Sequence, residues 1–186
     1  SGYSDIAIGV SKLFGFELMS NFKFPYFSRN IGEFWRKWHI SLSTWFRDYL
    51  YIQLGGSKGS KWQSIRNILI IFIVSGFWHG ANWTFIMWGL IHALLYIPLF
   101  LKRDNRQYTN IVANDRWLPN MIELFQMGVT FLSVSIAWVF FRSVDLSSAI
   151  DYLLRMITKI GIPAANRSGV LFVILFVSID WFIRTD

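Results

Sequence analysis

The feature that most constrains this chain is an uncharged stretch, residues 67–101, with basic residues at both of its ends. One membrane-crossing helix needs about 20 apolar residues, so the stretch has the length of nearly two. It is interrupted at residues 75–82 (Ser-Gly-Phe-Trp-His-Gly-Ala-Asn), where glycines and small polar residues replace the aliphatic run. The pattern predicts one helix over residues 62–77 and another over residues 83–101. Strands are disfavoured, because an open sheet in lipid would leave backbone groups without partners.

Two further apolar segments predict additional spans, one over residues 121–141 and one over residues 162–183. The sequence therefore predicts an all-α, multi-pass integral membrane protein, with about four transmembrane helices in residues 62–186. Residues 1–61 are expected to form interfacial or re-entrant helices and a turn. The start at Ser1, without Met or a targeting segment, leads us to expect a fragment of a longer membrane protein.

The composition argues against several other classes of protein. Hydrophobic residues make up 54% of the 186-residue chain and charged residues 16%, against about 25% charged in typical globular domains, so the chain is not disordered. The net charge is +7, but the basic residues cluster between apolar runs, which favours an anionic bilayer over nucleic acid. The absence of cysteine excludes disulfides, thiolate metal sites and cysteine nucleophiles.

The distribution of Lys and Arg also predicts an orientation. Basic residues crowd the segments before and after residues 67–101, which places both segments on the cytoplasmic side. On that orientation the break at residues 76–82 lies deep in the bilayer, with His79 inside the membrane. Residues 142–167 are expected to form another basic loop.

Apolar residues recur at three- and four-residue steps between residues 31 and 54, as on one face of a helix. Basic residues interrupt this face, so we expect one amphipathic helix in the membrane interface rather than a span. Residues 55–61, rich in Gly, Ser and Lys, predict a flexible polar turn, because they lack the spacing of a phosphate-binding loop. The apolar residues of the amphipathic face are Phe34, Trp38, Leu42, Trp45 and Tyr49.

His79 is the main candidate functional residue. It lies in the break between the first two predicted spans. An ionisable group at membrane depth costs free energy, and its presence there therefore indicates a function. Imidazole, with an ordinary pKa of about 6.5, can stay neutral there and accept a proton. The flanking Gly76 and Gly80 leave the backbone open to an approaching substrate. A structural histidine that bonds a neighbouring helix is the alternative.

The other two histidines give weaker signals. His39 follows a tryptophan in the amphipathic segment, where a headgroup or capping contact is the simpler interpretation. His92 lies within the second predicted span, and its separation from His79 does not place the two residues on the same helix face. We therefore interpret His92 as structural. No His-Glu-x-x-His pattern is present, and no Gly-x-Ser-x-Gly elbow surrounds Ser75, so we predict neither a metal site nor a serine hydrolase.

Two longer blocks carry a family resemblance. The first is residues 34–52 (Phe-Trp-Arg-Lys-Trp-His-Ile-Ser-Leu-Ser-Thr-Trp-Phe-Arg-Asp-Tyr-Leu-Tyr-Ile), followed by Leu-Gly-Gly at residues 54–56. The second is residues 76–83 (Gly-Phe-Trp-His-Gly-Ala-Asn-Trp). They resemble the signature blocks of the membrane-bound O-acyltransferase family, especially its bacterial branch, which includes the alginate O-acetylation protein and the teichoic acid D-alanyl transferase. By this resemblance, residues 1–186 are the C-terminal part of a single family domain.

The resemblance implies a helical ring pierced by a tunnel in which two histidines face the reacting groups. His79 matches the catalytic histidine of the family, and His39 matches its second signature residue. His92 matches a position where glycine usually follows, and with Ala93 in that place we assign it no role. The remaining substrate-binding candidates are Trp38, Trp78, Asn82 and Trp83, and Trp35 is a further candidate for the tunnel wall. For the tryptophans, anchoring in the membrane interface is the alternative. The suggested role of Asn82 is to donate a hydrogen bond to the oxyanion of the reaction.

The implied activity is a membrane O-acyltransferase. It would move an acyl group, in the simplest case acetyl, from a cytoplasmic thioester to hydroxyls of an extracytoplasmic polysaccharide or cell-wall polymer, with His79 as general base. The resemblance implies a donor substrate such as acetyl-CoA or an acyl carrier protein, attracted by Lys102, Arg103 and Arg106, and no permanently bound cofactor. The expected partners are membrane lipids and an extracytoplasmic O-acetyltransferase, not nucleic acid, and the expected location is the bacterial inner membrane. A non-catalytic membrane scaffold or acyl conduit and a soluble helical domain remain as alternatives.

Overall fold

The structure, a computed structural model, describes residues 2–159 and 167–185. These residues are helical and contain no strand, which confirms the predicted all-α fold. Short 3-10 turns lie at Pro25–Phe27 and Asp104–Arg106, and a π-helical turn at Arg47–Tyr51 follows the third helix. The α-helices are α1 (Gly2–Leu13), α2 (Ile31–Lys37), α3 (Ile40–Phe46), α4 (Lys61–His79), α5 (Trp83–Lys102), α6 (Met121–Arg142), α7 (Leu146–Thr158) and α8 (Arg167–Phe182).

The long apolar runs form the helices that the sequence predicts. The α4–α5 break falls at residues 80–82, as expected from the glycines and polar residues there. Capping boxes fix two helix starts, one between Ser60 and Gln63 before α4 and one between Asn120 and Glu123 before α6. Among the described residues, α5 and α6 are the two helices long and apolar enough to cross a membrane.

The fourth predicted span coincides in part with α8. Its predicted start at residue 162 lies outside the described residues, whereas residues 167–182 of the predicted span form α8. The indole N–H of Trp181 donates to the carbonyl of Trp117, 2.9 Å away, and attaches this helix to the loop before α6. The number of spans in residues 62–186 stays a prediction.

The single amphipathic helix predicted over residues 31–54 is wrong. The helix breaks between α2 and α3, where His39 takes a left-handed conformation with φ 44° and ψ 56°. Asn21 stabilises this break, because its backbone carbonyl accepts from the N–H of Ile40 and its side-chain oxygen from the N–H of Ser41. A contact from outside the segment thus divides the helix and places His39 at a corner of the chain.

The segment predicted as a basic loop over residues 142–167 contains α7, which corrects that expectation for its first half. Asp145 begins the helix by accepting a hydrogen bond from the N–H of Ser148, at 2.8 Å. Ala149 is fully buried and packs with Trp88 and Phe140 in one hydrophobic cluster. The helix therefore covers the end of the α5–α6 pair that lies next to His79.

Two glycines let α4 and α5 approach each other closely. A Cβ on Gly76 would overlap the backbone carbonyl of Phe85, and a Cβ on Gly89 would overlap that of Phe72. Small residues at a helix interface permit this approach in membrane proteins. The close approach at Gly76, which we had interpreted as room for a substrate, is therefore a contact between two helices.

A buried ionic cluster joins α2 to the segment before α6. The carboxylate of Glu33 accepts from the Arg29 guanidinium at 3.1 Å and from Lys37 Nζ at 2.7 Å. Arg29 also donates to the carbonyl of Asn110 at 2.7 Å and stacks over the ring of Tyr108. Both Arg29 and Glu33 are buried, so these contacts satisfy charges that would otherwise be costly inside the protein.

Candidate active site

His79 is the last residue of α4 and lies among aromatic rings. Its imidazole packs edge-to-face against Phe141 of α6, with ring centroids 4.9 Å apart, and against Trp88 of α5 at 5.4 Å. Trp78, its neighbour in sequence, also packs edge-to-face against it, at 5.0 Å. The side chain is half-buried, so one part of the ring stays accessible while the aromatic neighbours fix its orientation.

His39 lies at the corner between α2 and α3. Its Nδ1 is buried and has no hydrogen-bond partner within the described part of the chain. Burial lowers the pKa of His39 below its ordinary value, so the neutral imidazole is favoured. A neutral ring with a free nitrogen can accept or donate one hydrogen bond to a bound molecule.

A continuous set of aromatic contacts connects the two histidines. The ring of Phe22 lies 6.0 Å from that of His39 and 4.9 Å from that of Trp38. Trp38 lies 5.0 Å from Trp138, and Trp138 lies 5.1 Å from Phe141, which contacts His79. The structure thus brings together the two histidines that the sequence singles out, although they are far apart along the chain.

His92 is fully buried on α5. Its Nδ1 accepts a hydrogen bond from the indole N–H of Trp35, at 3.3 Å. Its ring stacks between those of Phe34 and Phe72, at 6.2 and 6.3 Å. These contacts fit the structural interpretation, but its Nε2 is buried and unpartnered within the described residues.

A cavity of about 640 Å³ lies between α2, α3 and the α4–α5 pair. Along α4 its wall follows one helix face through Ile68, Phe72 and Ser75, and His79 is one turn further on that face. Three arginines also line the cavity, together with polar residues of the neighbouring turns: Arg36, Arg47, Arg106, Ser57 and Asn105. The cavity therefore combines a cationic region with an apolar wall that leads towards His79.

The four predicted substrate-binding residues occupy different environments. Trp38 is half-buried in the aromatic set described above, whereas Trp78 and Trp83 are 58% and 71% exposed. The side chain of Asn82 caps α5 by accepting from the N–H of Thr84 and also donates to the carbonyl of Val144, at 2.9 Å. These bonds engage Asn82 in holding α5 against the α6–α7 connection, and its predicted part in substrate binding stays a prediction.

Apart from Trp78, the sequence analysis did not identify the aromatic residues that surround His79. Trp88 and His92 lie one turn apart on α5, and Trp138 and Phe141 lie one turn apart on α6. Three- and four-residue spacing places such pairs on one helix face, which is the signal that could have found them. Which faces of α5 and α6 meet cannot be deduced from spacing, so the cluster around His79 required the structure.

Comparisons with known proteins identify the family. The sequence model of the membrane-bound O-acyltransferase family matches residues 1–137, a region that contains both histidines of the candidate site. The chain belongs to the membrane-bound O-acyltransferase family. This membership confirms the resemblance in the two sequence blocks and identifies a membrane protein.

Named relatives lie in the bacterial branch of the family. The chain is 47% identical over 150 residues to a probable alginate O-acetylase of Azotobacter vinelandii, covering 80% of the chain and 28% of that protein. It is 39% identical over 168 residues to a peptidoglycan O-acetyltransferase of Helicobacter pylori, covering 90% and 30%. It is 36% identical over 128 residues to a teichoic acid D-alanyltransferase of Bacillus subtilis, covering 64% and 31%. The chain thus spans less than a third of the length of each of these relatives.

Proposed function

We propose that this chain carries the acyl-transfer centre of a bacterial membrane O-acyltransferase. The acyl group, in the simplest case acetyl, moves from a cytoplasmic thioester toward hydroxyls of an extracytoplasmic polysaccharide or cell-wall polymer. The observation that carries this proposal is the position of His79, one turn beyond the cavity wall on α4 and linked by aromatic contacts to His39. The names of the relatives, which describe O-acetyl and D-alanyl transfer to polymers, support the reaction class.

The cavity is suited to the acyl donor. Acetyl-CoA and the prosthetic arm of an acyl carrier protein both combine phosphate groups with a long, weakly polar chain that ends in the thioester. The arginines Arg36 and Arg106 would attract the phosphates, and the wall formed by Phe72 and Ser75 would accommodate the chain on its way to His79. The donor is a substrate in this proposal, and no permanently bound cofactor takes part.

His79 acts as the general base. A hydroxyl is a weak nucleophile until its proton is removed, and the ring contacts of His79 are aromatic, which favours the neutral imidazole that can remove it. The hydroxyl oxygen forms a bond to the thioester carbon while His79 takes its proton. The carbon–sulfur bond then breaks, and the imidazolium returns the proton to the departing thiolate, so that the histidine is regenerated.

His39 acts on one of the two substrates. Its unpartnered Nδ1 and favoured neutral state allow it to hold an oxygen of the acceptor or of the acyl group.

We propose further that the full-length protein is a multi-pass protein of the inner membrane, that membrane lipids surround it, and that an extracytoplasmic O-acetyltransferase receives the acyl group for delivery to the polymer.

The test is mass analysis of cell-surface polysaccharide from cells that produce the full-length protein or its variants. We expect His79→Ala and His79→Gln to abolish the acyl esters, and Trp62→Phe, a change at an 80% exposed ring, to leave them at the wild-type level. Wild-type ester content with His79→Gln would instead support a non-catalytic scaffold or acyl conduit. Membrane extraction followed by thermal unfolding in detergent shows that each variant is folded.

A further inference from the structure

Several buried polar atoms without partners lie on α5 and α6, and one of the residues that carry them, Trp88, packs directly on His79. In the described residues, the buried side-chain nitrogen and oxygen atoms that lack a hydrogen-bond partner belong to five residues. In native proteins such atoms are rare, and each points to a bound water or ligand, because an unmade hydrogen bond in an apolar interior is costly. The five residues are His39, Thr84, Trp88, His92 and Trp138.

Three of these residues form a stripe along α5. Thr84, Trp88 and His92 are spaced four residues apart, so they lie on one face of the helix, and each is at most 1% exposed. The ring of Trp138, from α6, packs against Trp88 with centroids 5.8 Å apart. Four of the five residues therefore lie on α5 and on the part of α6 that packs against it, whereas His39 lies at the corner between α2 and α3.

The nitrogens of this cluster are all hydrogen-bond donors. An indole nitrogen can only donate a hydrogen bond, so the Nε1 atoms of Trp88 and Trp138 are donors. The Nδ1 of His92 accepts the N–H of Trp35, so in the neutral ring the proton lies on Nε2, and Nε2 is a donor too. The hydroxyl of Thr84 can donate as well as accept, so each group of the cluster can offer a hydrogen bond to an oxygen that carries negative charge.

The two indoles adjoin the proposed base. Phe141 contacts His79 at 4.9 Å, Trp138 at 5.1 Å and Trp88 at 5.3 Å, so the imidazole and both indoles surround one ring. Trp88 also packs directly on His79. The rings that carry the two N–H groups therefore adjoin the histidine that is proposed to remove the proton.

We infer that the indole N–H groups of Trp88 and Trp138 bind the carbonyl oxygen of the acyl group and stabilise the oxyanion that forms during transfer. This inference rests on the proposed function. As the acceptor oxygen bonds to the thioester carbon, the carbonyl electron pair moves onto its oxygen, and the two N–H groups bond that oxygen. When the carbon–sulfur bond breaks, the carbonyl re-forms and the bonds weaken again.

His92 supports this site as a positioning residue. Its ring packs edge-to-face on Trp88 with centroids 4.9 Å apart, and Trp35 holds its orientation through Nδ1. The site replaces the role first suggested for Asn82, whose side chain is engaged with Val144 and Thr84.

The test measures acyl transfer by the full-length protein in membrane vesicles, with radiolabelled acetyl-CoA as donor and the cell's own polymer fraction as acceptor. We expect Trp88→Phe and Trp138→Phe each to lower kcat by about 10²- to 10³-fold, with little change in KM for acetyl-CoA, because each variant removes one donor to the oxyanion. Trp45→Phe, at a half-exposed ring outside the cluster, should keep the wild-type kcat. The pH dependence should not change in any of the three, because the base is intact.

The outcomes separate this inference from the proposed function. Wild-type kcat in both tryptophan variants, with transfer abolished in His79→Ala, overturns the oxyanion site and leaves the proposed function standing. A raised KM with unchanged kcat also overturns it, because the indoles would then bind the donor alone. Retention of transfer in His79→Ala overturns the proposed function itself.

A second substitution covers the case in which Trp88→Phe does not fold. A benzothienyl side chain at position 88 keeps the shape of the indole and replaces only its N–H by sulfur. A loss of kcat with this side chain supports the site, and a wild-type kcat shows that the N–H serves a trapped water or no ligand, which contradicts it.

Discussion

The indole N–H of Trp35 donates to Nδ1 of His92 across 3.3 Å, and this bond joins α2 to α5 at the centre of the protein. Both rings also contact Trp88, Trp35 at 5.8 Å and His92 at 4.9 Å between centroids. Because Trp88 packs on His79, the bond orients the residues behind the candidate site. It further sets which nitrogen of His92 carries the proton.

The first prediction concerns this tautomer. Nitrogen NMR of histidine-labelled full-length protein should show His92 with Nδ1 unprotonated and Nε2 protonated. Trp35→Phe removes the only donor to Nδ1 among the described residues, so both tautomers should then be populated. An unchanged spectrum in this variant would show that the bond does not determine the tautomer, and Trp62→Phe serves as the control.

The second prediction concerns the close approach of α4 and α5. Gly76→Ala and Gly89→Ala each place a methyl group against a backbone carbonyl of the other helix, and should destabilise the protein by about 1–3 kcal/mol. Gly76→Ala should also lower acyl transfer, because Gly76 lies one turn from His79. Gly128→Ala, on α6, places its methyl group in open space and should be neutral or slightly stabilising. Thermal unfolding in detergent measures the difference, and equal behaviour of the three variants would contradict it.

The third prediction concerns acid stability. Burial alone would raise the pKa of Glu33, but the bonds from Arg29 and Lys37 outweigh it and hold the pKa below its ordinary value of 4.5. The unfolded chain therefore binds the proton more tightly, and the contribution of the ionised carboxylate is complete above pH 4.5 and is lost as pH falls through the lower folded-state pKa.

Glu33→Gln should accordingly lower the unfolding temperature at neutral pH, because it leaves the buried Arg29 without its ionised partner. Removal of one member of such a pair lowers the free energy of unfolding by about 3–5 kcal/mol. It should also weaken the decline of stability in acid. Asp151→Asn, in an exposed pair with Arg155, should change neither measurement. A wild-type acid profile in Glu33→Gln would show that other carboxylates govern the transition.

The fourth prediction concerns donor binding. Reversal of one charge in the cavity, Arg106→Glu, should raise KM for acetyl-CoA by roughly threefold to tenfold at low salt with little change in kcat. In the proposed function this arginine attracts the donor phosphates and does not touch the reacting atoms. Lys159→Glu, an equal charge reversal at the end of α7, should have no effect. Equal KM values for acetyl-CoA in the two variants would show that the donor does not bind in this cavity.

The sequence predicts the parts of the fold that depend on local composition. The apolar runs and their polar interruptions define α4, α5 and α6, and the resemblance of residues 34–52 and 76–83 indicates the family. The break at His39 could not be predicted, because its stabilising partner, Asn21, lies in a different part of the chain. Periodicity alone continues a helix through such a point.

The candidate site likewise contains residues that the sequence indicates and residues that only the structure identifies. His79 stands out because it is an ionisable residue in an apolar run, and His39 because of the family block. The unpartnered nitrogens of Trp88 and Trp138 leave no trace in the sequence, since tryptophan in a membrane protein is equally expected at the lipid interface. Only the packing of α5 against α6 distinguishes these rings from anchoring residues.

The most direct test of the account is the rate of acetyl transfer from radiolabelled acetyl-CoA to polymer in vesicles that contain the full-length protein with His79→Gln. Glutamine keeps a polar side chain of similar reach but cannot take the hydroxyl proton. We expect transfer to fall by about 10²- to 10⁴-fold, while the unfolding temperature and the KM for acetyl-CoA stay near their wild-type values. Transfer at the wild-type rate in a folded His79→Gln protein would contradict the role of His79 as the base.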